Sequence, residues 1–179
     1  CLVDADFLDT EEFMANGNTG RQQGENMPQL LEKLEKYIAR WIENKEIESV
    51  NGRRTEILRA CLDAGEKEKG LFRLTVPTGG GKTIASLAFA LRHAVKHHMD
   101  RIIYVIPYTS IIEQNAGVFR EILGNQNVLE NHCNVDYEST EDLKPMQLAS
   151  ENWDKPVIVT TNVQFFESLF ANKSSKCRK

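Results

Sequence analysis

The segment "LTVPTGGGKTIASLAFAL", Leu74 to Leu91, constrains this chain more than any other stretch. Three consecutive glycines stand between a run of β-prone residues and an amphipathic helical pattern. Glycine reaches backbone angles closed to other residues, so such a loop can turn tightly and aim several amide N–H groups at one anion. The helix that begins near Lys82 adds unpaired N–H donors and the positive end of its dipole. Gly81, Lys82 and Thr83 match the end of the phosphate-loop pattern G-x-x-x-x-G-K-[ST]. The pattern's first glycine is replaced by Val76, where the strand leaves the sheet and need not approach a phosphate. The loop therefore reads as a nucleotide site for ATP and Mg²⁺. Pro77, Thr78, Gly79, Gly80 and Gly81 form the cradle, Lys82 reaches the β and γ phosphates, and the Thr83 hydroxyl ligates the metal. Lys82 and Thr83 are the catalytic candidates.

The pattern around the loop is α/β. "LFRLTV", "RIIYVIP", "NVLENH" and "KPVIVTT" read as short strands, separated by the helical patterns "KTIASLAFALRHAVKHH" and "TSIIEQNAGVFREIL" and followed by "NVQFFESLF". Short apolar strands alternating with helices predict a mostly parallel sheet in an α/β domain, with the P-loop opening one of its helices. Upstream, Leu30, Leu31, Leu34, Ile38, Trp41 and Ile42 fall at helical spacing after Pro28, and Ile57, Leu58, Cys61 and Leu62 mark a second helix. Residues 14–26 carry three glycines and no periodicity, which predicts a loop. Residues 1–13 read as the end of another helix.

Composition excludes several classes. The 179 residues are 41% hydrophobic and 27% charged, the balance of a soluble globular protein. No apolar run approaches the roughly 20 residues that span a bilayer, and the acidic opening "CLVDADFLDTEE" is unlike a signal peptide, so no membrane partner is expected. Cys1, Cys61, Cys133 and Cys177 include no C-x-x-C pair, which argues against a disulfide framework or a cysteine zinc site. The net charge of −4 does not announce nucleic acid; a polynucleotide would need a local groove.

From Leu71 onward the sequence resembles the helicase motor of the CRISPR-associated helicase–nucleases of type I systems. The matching blocks are "LTVPTGGGKTIASLAFALRHA", "RIIYVIPYTSIIEQNA", "ENW" followed by "KPVIVTTNVQFFESLF", and "ANKSSKCRK". Superfamily-two helicases commonly carry a small apolar residue at the Val76 position. "CLVDADFLDTE" resembles the last helix of that family's HD nuclease domain. The resemblance implies that 1–24 is the tail of an HD domain with its linker, 25–70 a helical connector, and 71–179 the first part of a RecA-like motor domain, cut before its Asp-Glu motif. Cys1 in place of an initiator methionine and the polar close "KSSKCRK" fit such a cut.

It further implies that Pro107, Tyr108 and Thr109, and then Thr160, Thr161 and Asn162, meet the backbone of single-stranded DNA at the carboxyl edge of the sheet. These threonines can also cap the helices that follow them. Asp6, ahead of Asp4, would be one ligand of a divalent transition metal at the HD site. Its other ligands would lie upstream of residue 1. The implied parent hydrolyses ATP in the bacterial cytoplasm, moves along single-stranded DNA, degrades it, and is recruited by a guide-RNA surveillance complex. The expected behaviour of this chain alone is weak ATP binding and no turnover, because no Asp-Glu-x-x motif follows a strand.

Other features read as structural. His93 and His97 lie i,i+4 apart, but no glutamate follows His93 as in H-E-x-x-H, so a solvated helix face is expected. His132 and Cys133 have no partner at ligand spacing. Phe165 and Phe166 are expected to anchor their helix to the sheet, Trp41 to pack in a core, and Asn51 and Arg54 to lie near the adenine side of the nucleotide. Two rival readings remain open. One is a superfamily-two DNA or RNA helicase outside CRISPR defence; the other is a nucleotide- or DNA-binding module without turnover.

Overall fold

The computed structural model describes residues 24–42, 49–132, 153 and 155–170. Asp4, Asp6, Cys1, Cys133 and Cys177 lie outside the described residues, as do the expected helix over 1–13 and most of the loop after it.

Helix α1, Met27–Ile42, begins with a reciprocal cap. The Asn26 N–H donates to Gln29 Oε1 and the Gln29 N–H to Asn26 Oδ1, each at 3.0 Å, which satisfies donors that a helix start leaves orphaned. Its periodic residues Leu30, Leu34 and Ile38 are fully buried. Helix α2, Val50–Gly65, is capped by Ser49, whose Oγ accepts from the Gly52 N–H. Thr55 on α2 donates its hydroxyl to the Trp41 carbonyl at 2.9 Å, tying the two helices together. Helix α3, Lys82–Lys96, packs closely on α2 at Gly65, where a β-carbon would stand 2.7 Å from Arg92 Cβ. Arg92 also pairs with Glu66 at 2.6 Å and Glu35 at 3.3 Å.

Three parallel strands follow: β1 Ile102–Val105, β2 Val128–Asn131 and β3 Val157–Thr160. Their order is β1-β3-β2. Helix α4, Thr109–Leu123, connects β1 to β2 and stops at Gly124, whose φ of +97° suits glycine. Helix α5, Asn162–Leu169, leaves β3. Residues of β2 and β3 alternate between two covered faces, whereas on β1 Ile103 and Val105 are exposed. Val128, Val157 and Val159 join the main core with α1, α3 and α4. Leu129 and Ile158 face a smaller cluster with Trp153 and Phe165. Residues of α1 and α2 share the main core with the sheet, so the two upstream helices are part of the α/β body.

Two expectations differ from the structure. "LFRLTV" forms no strand: residues 71–77 carry no regular structure, and Leu71 and Leu74 are exposed. β-prone residues express only a tendency, and a strand exists only when a neighbour takes its N–H and C=O groups. Among the described residues the sheet ends at β1 and β2, and neither edge takes this segment. Phe72 packs instead against α3, 4.8 Å from the Phe89 ring and 5.4 Å from His93. Phe166 is also no anchor. Phe165 turns toward the sheet-side cluster, whereas Phe166 is half exposed and stacks on Phe170.

Candidate nucleotide site and strand-edge loops

The phosphate loop is built from a turn and a helix start. The Gly80 N–H donates to the Pro77 carbonyl at 3.1 Å, closing a four-residue turn. Gly79 occupies its third position with φ +82°, a backbone that turns of this kind reserve for glycine. Gly81 follows with φ +78° at the N-cap of α3, and no side chain caps the helix. The N–H groups of the first turn are thereby left facing outward, the donor set an anion needs. A β-carbon on Gly79 would meet nothing within 4 Å, so the loop is open on that side. Lys82 is exposed at the helix start. These residues fit a polyphosphate.

The position that breaks the consensus has a structural role. A β-carbon at Gly80 would stand 2.3 Å from Val76 Cγ1, so the valine side chain fills the space under the loop that a residue at 80 would otherwise use. Val76 requires Gly80. Helix α2 supports the same loop from behind. Arg54 donates from Nε to the Gly79 carbonyl at 2.8 Å, and its Cγ lies 3.8 Å from where a β-carbon on Gly81 would be. Asn51 sits beside Arg54, with Oδ1 at 3.5 Å from its guanidinium. Arg54 therefore meets the backbone of the phosphate loop itself, which sequence spacing could not reveal.

Thr83, the metal-ligand candidate, donates its hydroxyl to Asn115 Oδ1 at 3.0 Å. Asn115 lies on α4, so the loop helix is tied to the helix that starts at Thr109. A second tie runs through β1. Tyr104 OH reaches Ser86 Oγ on α3 at 3.5 Å, and its ring lies 4.7 Å from Phe119 on α4. Burial pushes the Tyr104 phenol far above its ordinary value, so it stays a neutral donor. Asn115 is a residue that sequence reading missed; no motif marks it.

At the carboxyl edge, register decides what is brought together. Val105 pairs with Thr160, and Thr160 with Asn131; the Ile106 N–H donates to the Thr160 carbonyl at 2.9 Å. The loop at Pro107–Thr109 and the residues Thr161–Asn162 thus leave neighbouring strands side by side. Pro107, Tyr108 and Asn162 are exposed, and Thr109 and Thr161 are half-buried. Thr161 caps α5 by accepting from the Gln164 N–H at 3.1 Å. Thr160 differs from its neighbours. It is fully buried, and its hydroxyl donates to the Asn131 carbonyl at 2.8 Å, inside the sheet.

The histidines at 93 and 97 are structural, each bonded to a carbonyl at or just after the end of α2: His93 Nδ1 to Gly65 at 3.0 Å and His97 Nε2 to Lys67 at 2.8 Å. A carbonyl only accepts, so each of these ring nitrogens carries a hydrogen. The fold also brings Glu113 and Glu130 to His132, their potential ligand atoms lying within 4.8 Å of one another. Glu130 already pairs with Arg120 at 2.8 Å and His132 at 2.7 Å. Cys61, buried on α2, is a free thiol whose burial raises its pKa. It is therefore a packing residue at neutral pH.

A left-handed double-glycine loop opening an uncapped helix, set against a parallel sheet, defines a P-loop α/β domain. The model of the family described as "Type III restriction enzyme, res subunit" matches residues 26–178. The chain belongs to that family and is a superfamily-two helicase domain. The match includes α1 and α2. Among curated relatives, a "CRISPR-associated nuclease/helicase Cas3" of Haloferax volcanii is 29% identical over 172 residues, covering 77% of this chain and 18% of the relative. A "U5 small nuclear ribonucleoprotein 200 kDa helicase" of Drosophila melanogaster is 28% identical over 139 residues, covering 70% of this chain and 6% of the relative. The chain thus spans less than a fifth of the length of either. No described helix is long and apolar enough to cross a membrane.

Proposed function

We propose that this chain holds ATP–Mg²⁺ at Pro77–Thr83 and single-stranded DNA along the carboxyl edge of its sheet, as part of an ATP-driven DNA translocase. The observation that carries the reading is the phosphate cradle, bonded through Thr83 and Asn115 to the helix that starts at the Pro107–Thr109 loop. Bound nucleotide would supply the phosphoanhydride whose hydrolysis drives such a motor. Lys82 offsets the phosphate charge. Thr83 keeps its hydrogen on Asn115, which leaves a lone pair of its oxygen free for a metal. The Tyr108–Thr109 and Thr161–Asn162 loops offer hydroxyl and amide groups to a sugar–phosphate backbone, a sequence-independent grip.

The block-by-block resemblance and the name of the Haloferax relative support coupling to an HD nuclease in CRISPR antiviral defence. Asp6 is the proposed metal ligand there, and a guide-RNA surveillance complex the proposed recruiter. The domain boundaries proposed from the resemblance are 1–24, 25–70 and 71–179, with α1 and α2 in the second segment.

Titration of a fluorescent ATP analogue and a labelled single strand against the chain tests the reading. Hydrogen bonds to charged groups contribute about 1.5–3 kcal/mol, so Lys82→Ala weakens analogue binding by roughly tenfold to a hundredfold. The wild-type chain turns over no ATP; DNA-stimulated turnover abolished by Lys82→Ala would overturn that part. Absence of analogue binding to the wild type sinks the nucleotide site. Single-stranded RNA held tighter than DNA would favour an RNA helicase, as the name of the Drosophila relative suggests for that protein.

A further inference from the structure

We infer that Arg54 is a positioning residue of the nucleotide site, which holds the phosphate loop in its anion-ready shape from behind and takes no part in reading the base. The inference rests on the proposed nucleotide site and adds helix α2 to it. Two observations carry it. The Arg54 Nε–H donates to the Gly79 carbonyl at 2.8 Å, and the Arg54 stem lies under Gly81, with Cβ and Cγ 4.0 and 3.8 Å from the place of an added β-carbon.

A peptide unit carries its N–H and C=O on opposite sides, so holding the Gly79 carbonyl toward α2 turns the following amide, that of Gly80, away from Arg54 and keeps it on the Pro77 carbonyl that closes the turn. The next amides belong to Gly81 and Lys82, which the uncapped helix start already leaves free. Gly79 and Gly81 both have positive φ, and glycine without a partner samples many other backbone states. Without an outside support the loop therefore has a large conformational freedom to lose when a phosphate binds. An outside donor that fixes one carbonyl removes part of that loss beforehand. Ile57, one turn along α2, completes the backing, with Cδ1 3.8 Å from the place of a β-carbon on Gly80. Asn51 steadies the guanidinium from the same helix face.

The role predicts a pattern that base recognition would not produce. A charge-assisted bond to a carbonyl at a partly wet site is worth enough to change affinity by about threefold to tenfold. Arg54→Ala weakens a fluorescent ATP analogue, the matching GTP analogue and inorganic tripolyphosphate by the same factor, and leaves the melting temperature unchanged. Arg54→Lys recovers part of the loss, since an ammonium can donate to the same carbonyl without the fixed fork.

Amide hydrogen exchange supplies a reading that needs no ligand: in Arg54→Ala the peptide across Val76–Thr83 exchanges several-fold faster, while peptides from α1 and α4 do not change. A loss confined to the ATP analogue would overturn the inference in favour of adenine recognition. Unchanged loop exchange in Arg54→Ala would overturn it outright. If the wild-type chain binds none of the three ligands, the proposed nucleotide site fails, while the exchange result still judges Arg54.

Discussion

The phosphate loop at Pro77–Gly81 and the strand-edge loops at Pro107–Thr109 and Thr161–Asn162 are both proposed to hold phosphate, and they are assembled in different ways. The first is contiguous in sequence, turned by its own glycines and opened by its own helix. What keeps it in shape comes from other places: Val76 beneath Gly80 and Arg54 behind Gly79. The second exists only because β1 and β3 lie parallel in a register that sets Val105 beside Thr160. A contiguous loop can be read from its letters, and a loop pair made by register needs the sheet. The same contrast predicts where each will fail, the first by local crowding and the second by loss of sheet order.

The sharpest break in the first region is Gly80→Ala. The added methyl would fall 2.3 Å from Val76 Cγ1 and 3.1 Å from the Pro77 carbonyl, and overpacking of this kind costs about 1–3 kcal/mol. The turn must open, so binding of a fluorescent ATP analogue drops by roughly tenfold or more. Shrinking the other partner, in Gly80→Ala with Val76→Ala, recovers much of the loss. Wild-type affinity in the single variant, or no recovery in the double one, would mean that the valine does not back the loop.

The glycine turn of the first region and the described helices were legible in the sequence because both are local. Asn26, Pro28 and Gly124 punctuate helices through capping, fixed φ and positive φ, and each acts within one turn of itself. "LFRLTV" was misread because strand formation is decided by a neighbour, which β-propensity does not encode. Thr160 was expected with Thr161 and Asn162 at the strand end, and it differs from them in burial: alternate residues of a strand face opposite ways, and the strand's last residue still belongs to the sheet. The Glu113–Glu130–His132 grouping and the Thr83–Asn115 bond join residues from separate elements, so spacing along the chain carried no sign of them.

Thr160 and Asn162 give the second region its own test. Thr160→Val removes the donor to the buried Asn131 carbonyl and keeps the shape, which costs about 1–2 kcal/mol of stability. The variant melts several degrees lower and binds a labelled single strand as the wild type does. Asn162→Ala does the reverse: an exposed amide is lost, the melting temperature holds, and strand affinity falls about threefold. Equal effects of the two substitutions on strand binding would erase the distinction between sheet order and surface grip.

The smallest effect lies where Glu25, just ahead of α1, meets the α4–β2 connection. Glu25 accepts from Lys33 Nζ at 2.5 Å, Gln126 Nε2 at 2.9 Å and Asn127 Nδ2 at 3.1 Å. Its own N–H donates to Asn127 Oδ1 at 2.8 Å. The bond from Lys33, then that from Asn127, holds the carboxyl below its ordinary value. A carboxyl with a depressed folded pKa stabilises the fold above its unfolded value near 4.5, and the contribution disappears as pH falls through the folded value. The pair is partly open to water, which limits the term to below about 1 kcal/mol. Glu25→Gln therefore lowers the melting temperature slightly at pH 7, and the difference shrinks as pH falls below 4.5 and through the depressed folded value. Phosphate-loop exchange and analogue binding stay unchanged in Glu25→Gln at pH 7, because this tie fastens α1 to the sheet and the loop takes its support from α2. A change in loop exchange would show that the two regions are mechanically joined through α1.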